Sequence, residues 1–414
     1  MSIFDTASLL LSIAAVFAYL NYKFIKLPTT IGIMLIALVF SLILVVLSHF
    51  GIGFGEQYAE QILNNIDFNE TLMHGMLSFL LFAGALHINL EALLEKKWIV
   101  GILATIGVVT TTFIVGFTSY YIFGWLGIDI PLIYCLLFGS LIAPTDPVAV
   151  MGILKTAGAT KSLETKIAGE SLFNDGVAVV VFLVLLGIAT SGQDANASEI
   201  ALLFAEEALG GAVFGFAIGW ITYRMLKSVD NYQVEVLLSL ALVAGGYALA
   251  SQIHVSGPIA IVVAGLFIGN HGRHMAMSET TREHLDTFWE LLDEILNAVL
   301  FVLIGLEVIV LSFSGNHIIA GLILALVVLL ARFISVGIPI NLMRLRKDFH
   351  PHVVKILTWG GLRGGISVAL ALSLPPSQER DIIVTITYII VVLSIVIQGL
   401  TIKKLVEFAS RKAA

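Results

Sequence analysis

Residues 169–182 read GESLFNDGVAVVVF and place Glu170, Asn174 and Asp175 at the head of a run with no further charge until Asp194. On a helix Ser171 and Asp175 are four residues apart and share a face, as do Glu170 and Asn174. The run that follows Asp175, GVAVVVFLVLLG, offers its carboxylate no neutralising neighbour. Carboxylate oxygens of this kind can ligate a hard cation or accept a proton. A second such acid is Asp146, in the stretch LLFGSLIAPTDPVAVMGIL over residues 136–154. Thr145, Ser171 and Asn174 could add neutral oxygens, together with main-chain carbonyls around Asp146. The chemistry on offer is therefore the binding of a hard cation, a proton, or each in turn.

Such charges acquire meaning from the elements that hold them. The chain has 414 residues, 58% hydrophobic and 12% charged, with a mean hydropathy of +0.99. Soluble globular chains carry about 25% charge, so this composition predicts a bundle of membrane spans. Runs of about 20 apolar residues, the length that crosses a bilayer, fall near 6–22, 29–48, 71–90, 98–123, 131–154, 160–190, 200–224, 233–251, 256–271, 287–312, 317–342, 352–374 and 382–404. The ninth run is short enough to be a re-entrant segment. No basic segment precedes the first run and no small-residue cleavage site follows it, so it reads as a span rather than a removed leader. The tail after Lys404 is too short to fold, and no soluble domain is expected on it.

Basic residues test this division. Of the 22 Lys and Arg, all but Arg332, Arg363 and Arg380 fall in the odd-numbered breaks, at the span ends beside them, or in the tail. Cytoplasmic loops collect Lys and Arg, which predicts an outer N-terminus and a cytoplasmic C-terminus. Cys135 is the single cysteine, so disulfides and cysteine metal sites are excluded. No P-loop, zinc motif, catalytic triad or nucleic-acid-binding signature is present, and no cofactor is expected.

Two spans cannot be straight helices. Pro144 and Pro147 bracket Thr145 and Asp146 in the fifth; each proline removes a donor and pushes its predecessor toward extended backbone. In the twelfth, TWGGLRGGISVALALSLPP over 358–376, four glycines surround Arg363. Spans five and twelve lie seven apart and so cross in opposite directions. Broken spans at matching places in two inverted halves point to a substrate site at their interface. Spans 1–6 and 8–13 would be the halves, with span seven as connector.

The remaining charges admit plain structural roles. Glu170 is expected to form an ion pair with Arg363, a direct ion role being the alternative. Two arginines, Arg332 and Arg363, cannot neutralise Asp146, Glu170, Asp175 and Glu307 together, which leaves Asp146 and Asp175 for transport. Glu307 is expected to be a wetted helix terminus at the outer end of span ten. Asp293 and Glu294 could be interfacial, and Asn297 an interhelical hydrogen bonder. His74, His87 and His254 lack metal-ligand spacing; His271 and His274 flank Arg273 in an inner loop.

Together ESLFNDGVAVVVF, APTDPVAV, FVLIGLE and GGLRGGISVALALSLP resemble the bacterial and archaeal sodium/proton antiporters related to the eukaryotic sodium/proton exchangers, from about Asp5 to Lys404. The resemblance implies an all-α polytopic membrane protein of about thirteen transmembrane helices with an inverted repeat and two broken crossing helices. It divides the chain into scaffold helices over 1–95, a core over 96–190, connector and scaffold over 191–312, and a second core part with a short cytoplasmic tail over 313–414. It makes Asp175 the shared cation and proton carrier, assisted by Asp146 and Ser171, with Thr145 offering a main-chain oxygen. It pairs Glu170 with Arg363. Asn174 in place of a second aspartate implies electroneutral Na+ (Li+)/H+ exchange, and the resemblance further implies a homodimer in the inner or plasma membrane. One departure stands out: where relatives carry a glutamate in the third span, LLFAGALHIN has Ala83, with His87 one turn later. K+/H+ exchange, organic-anion symport and a non-transporting sensor are the alternatives.

Overall fold

The computed structural model describes residues 3–50, 75–146, 150–151, 154, 161–191, 197–272, 277–311, 313–344 and 352–411. Pro147, His74, Arg273, His274 and the polar linker over 51–70 lie outside these residues. Helices α1 (Ile3–Leu20), α2 (Thr29–His49), α3 (Leu77–Leu86), α4 (Leu90–Glu95), α5 (Lys97–Trp125) and α6 (Leu132–Leu141) lead to α7 (Lys161–Ser191), which carries the opening motif. Then follow α8 (Ala197–Leu226), α9 (Tyr232–Gln252), α10 (Gly257–Phe267), α11 (Glu279–Glu307) and α12 (Gly315–Met343). The chain ends in α13 (Val353–Trp359), α14 (Gly365–Leu372), α15 (Gln378–Leu393) and α16 (Leu400–Arg411).

A helix thus falls in each of the thirteen expected segments. Among the described residues eight helices are long and apolar enough to cross a membrane, and three more are apolar but shorter. The short ninth segment is one helix, α10, prolonged by a π turn over Ile268–Gly272.

Local sequence fixes where the helices begin. Asn89, Asn231, Ser256, Ser278, Ser314 and Ser377 each accept a backbone N–H from the first turn of α4, α9, α10, α11, α12 and α15 respectively. Caps of this kind stabilise a helix start by about 1 kcal/mol each. Trp289 of α11 is fully buried; it packs on Phe79 and Phe82 of α3 and donates its indole N–H to Ser239 of α9 at 3.0 Å. That single side chain ties three helices together and sets the face α11 turns inward.

Around the breaks, α5, α6 and α7 pack on one another, α12 packs on α5 and α15, and α14 on α15. A Thr111–Ser335 hydroxyl contact of 3.2 Å joins α5 to α12. On the other side α2 packs on α11, and α10 on α3, α8 and α9.

Candidate functional site

Helix α6 stops at Leu141, and residues 142–146 run non-helically through Pro144. Helix α13 stops at Trp359 and the chain restarts as α14 at Gly365. The two irregular stretches meet: Asp146 and Leu362 form an isolated antiparallel bridge, with the Asp146 N–H donating to the Leu362 carbonyl at 2.8 Å. Proline in one span and glycine in the other therefore do one job, opening both helices at the same depth so that each pairs with the other. Irregular backbone at membrane depth needs such partners.

Two glycines are required by close approach. A Cβ on Gly364 would overlap the Asp146 carboxylate, and one on Gly361 would sit 2.7 Å from Arg332 Nε and 3.2 Å from Thr145 Cγ2.

Helix α7 clamps the first break. Asn174 donates from Nδ2 to Thr145 Oγ1 at 2.8 Å and accepts the Thr145 N–H on Oδ1 at 3.3 Å. Ser171 donates its hydroxyl to the Thr145 carbonyl. The expected grouping of Thr145, Ser171 and Asn174 is thus brought together, but the contacts run among the three residues themselves. Thr145, Ser171 and Asn174 are all buried. Asp175 is 6% exposed, and its Oδ1 has no hydrogen-bond partner among the described residues.

The arginines differ from expectation. Glu170 pairs with Arg332, not Arg363: Arg332 Nη2 donates to Glu170 Oε2 at 2.9 Å while Nη1 donates to Oε1. The same Nη2 lies 3.3 Å from the Leu357 carbonyl in α13. Arg363 instead donates from Nη1 to the Ala143 and Pro144 carbonyls at 2.5 and 3.0 Å. The physical reason is symmetry of need. Each broken helix ends in unpaired carbonyls carrying partial negative charge, and each receives one guanidinium. Arg363 is occupied at the α6 break, and Arg332 joins the α13 carbonyl to Glu170.

Glu307 is a second correction. It is 5% exposed rather than wetted, and its Oε2 has no hydrogen-bond partner among the described residues. The end of α11 is covered: Ser41 of α2 donates to the Gly305 carbonyl at 2.9 Å.

Thr145, Asp146 and Asp175 line one cavity of about 1390 Å³. Its walls include Gly364–Ser367, Ala83 and His87 of the third span, and an acidic face of α11; Lys26 and Lys403 also border it. Sequence reasoning missed that face, although its signal was present in the four–three–four spacing of Asp286, Glu290, Asp293 and Asn297. It also missed Ser367, 1% exposed, whose hydroxyl lines the cavity without a partner among the described residues.

Crossed helix breaks around a buried carboxylate, its Oδ1 without a partner among the described residues, define the class of a multi-pass ion transporter. Residues 11–408 match the family described as sodium/hydrogen exchanger, transmembrane. The chain belongs to that family. It is 53% identical over 407 residues to the Na(+)/H(+) antiporter NhaP of Pseudomonas aeruginosa, covering 97% of this chain and 96% of that protein. It is 34% identical over 391 residues to the Na(+)/H(+) antiporter NhaH of Halobacillus dabanensis, covering 93% of each. The solved structure of the sodium proton antiporter MjNhaP1 from Methanocaldococcus jannaschii superposes with a TM-score of 0.77 at 21% identity, over 98% of this chain and 99% of that one. The all-helical antiporter fold is thereby shown.

Proposed function

We propose that this protein is a secondary active antiporter that exchanges Na+ or Li+ for H+ by competition at the Asp175 carboxylate. The observation that carries the proposal is Asp175 itself: buried, without a partner at Oδ1 among the described residues, and at the wall of a cavity. Intramembrane carboxylates are costly and mark ion or proton paths. The printed activity of the 53% identical relative, Na(+)/H(+) antiport, supports the same reading.

In this scheme a cation entering the cavity meets Asp146 and Asp175, with oxygens of Thr145 and Ser171 beside them. A bound cation holds Asp175 ionised; a bound proton leaves no charge for the cation. Only the loaded core (residues 96–190 and 313–414) moves against the scaffold, and exclusive occupancy couples the two fluxes. Lys26 and Lys403 border the cavity, and basic residues collect on the cytoplasmic side of a membrane, which supports a cytoplasmic opening. A homodimer in the plasma membrane, N-terminus outside and C-terminus inside, completes the proposal.

Electroneutral exchange follows from one carrier carboxylate. Asn174 cannot titrate, and both ends of its amide are engaged by Thr145. The test uses proteoliposomes with a pH-sensitive dye and Na+, Li+ and K+ in turn. Exchange should appear with Na+ and Li+, and an imposed potassium–valinomycin potential should leave its rate nearly unchanged. Strong acceleration or reversal by voltage would show that unequal charges move.

A further inference from the structure

We propose that Asp293 of α11 is a cation ligand at the inner end of the cavity, passing ions to Asp146 and helping to set selectivity among monovalent cations. The proposal rests on the exchange reading above and names a residue outside its site.

The geometry begins with the face that α11 presents. Asp286, Glu290, Asp293 and Asn297 all line the cavity, and at that spacing they form one stripe along the helix. Trp289, locked against Phe79 and Phe82 and bonded to Ser239, fixes the rotation of this stripe. At its inner end Leu300 packs directly on Gly365, so closely that a Cβ on that glycine would meet Leu300 at 2.5 Å. Asp293 is seven residues from Leu300, about 10 Å along the axis. It is thus the acid of the stripe nearest the crossed breaks, and it lines the same cavity as Asp146; Glu294, one residue on, also lines the cavity but lies off the stripe and is exposed.

The site beyond it has oxygens without partners among the described residues. Asp175 Oδ1 and Ser367 Oγ both lack hydrogen-bond partners there, belong to residues at least nine-tenths buried, and line this same cavity. Ser171 and Asn174, by contrast, direct their contacts to Thr145. A cation approaching the pair of aspartates along the α11 wall therefore meets a further carboxylate at Asp293. Among the described residues the wall formed by the third span carries no acid; Ala83, Gly84 and His87 line it there. Glu290 and Asp286 lie nearer the start of the helix, and general attraction of cations is sufficient to explain them.

Purified full-length protein in proteoliposomes separates a ligand from a background charge. Asp293→Asn should raise the half-saturating Na+ concentration about tenfold, or ~1.4 kcal/mol, while the rate at saturating Na+ stays within about twofold of wild type. The ratio of half-saturating Li+, Na+ and K+ should change with it, and Asp293→Glu should recover most of the affinity. Glu290→Gln should have a smaller effect that disappears in high choline chloride, where exposed charges are screened. A parallel measurement needs no transport: the rise in melting temperature produced by Na+ should shrink in Asp293→Asn, because ligand binding to the folded state is what produces it. An absence of wild-type exchange alongside a lost Na+ effect in the variant would reject the antiport reading and keep the ligand. Unchanged half-saturation and an unchanged Na+-dependent melting shift in Asp293→Asn would overturn the proposal. So would equal, salt-erasable effects of Asp293→Asn and Glu290→Gln.

Discussion

Asp175→Asn should fold, insert and fail to exchange. The amide has nearly the shape of the carboxylate but can neither take up a proton nor present a negative charge to a cation. Exchange should fall to below about 1% of wild type, equivalent to more than ~2.7 kcal/mol on the rate. Stability should move the other way or stay level. A buried carboxylate whose Oδ1 has no partner among the described residues opposes folding, and a neutral amide is cheaper to bury. Loss of transport with an unchanged or higher melting temperature separates a carrier from a structural acid. A well-folded Asp175→Asn variant that still exchanges would remove Asp175 from the mechanism.

The second large effect concerns the charges that hold the crossing together. Glu170 and Arg332 are both buried and joined through both oxygens of the carboxylate. Removing either one leaves a buried charge without its partner and should cost about 3–5 kcal/mol, whereas Glu170→Gln with Arg332→Gln together should cost less than the sum. Glu170→Gln and Arg363→Gln should be nearly additive, because Arg363 bonds the Ala143 and Pro144 carbonyls instead. Thermal unfolding of the single and double variants in detergent reads both cycles. Strong coupling to Arg363 and none to Arg332 would reverse the assignment.

That pairing also shows where sequence reading stops. A carboxylate ahead of GVAVVVFLVLLG, and a Pro-Thr-Asp-Pro sequence inside an apolar run, break local rules of helix and membrane chemistry. Such violations are visible in one dimension, so Asp175, Asp146 and the two breaks were legible. So was the helix in each segment. The partner of Glu170 was not legible, because Arg332 and Arg363 are both arginines inside spans and only the packing of α12 against α5 decides which one reaches it. Glu307 failed for a related reason: position along a helix indicates depth, but not that α2 covers the helix end. The acidic face of α11 was written in its spacing, yet an amphipathic stripe reads alike whether it faces headgroups or an internal cavity. Trp289, buried against α3, turns it inward.

Competition at one carboxylate is tested most directly by initial exchange rates over a grid of pH and Na+ concentration. As pH falls, protons occupy Asp175 and the half-saturating Na+ concentration should rise, approaching about tenfold per pH unit for a single shared proton. Extra Na+ should then restore the rate at moderately acidic pH, so the acidic limb moves to lower pH as Na+ increases. At high pH the proton-loaded form becomes scarce and the rate should fall again, giving a bell-shaped profile. The same behaviour should persist in His271→Ala, since no histidine is needed for it. An acidic limb that stays fixed as Na+ rises, or that vanishes in His271→Ala, would contradict a shared site and place pH control elsewhere in the protein.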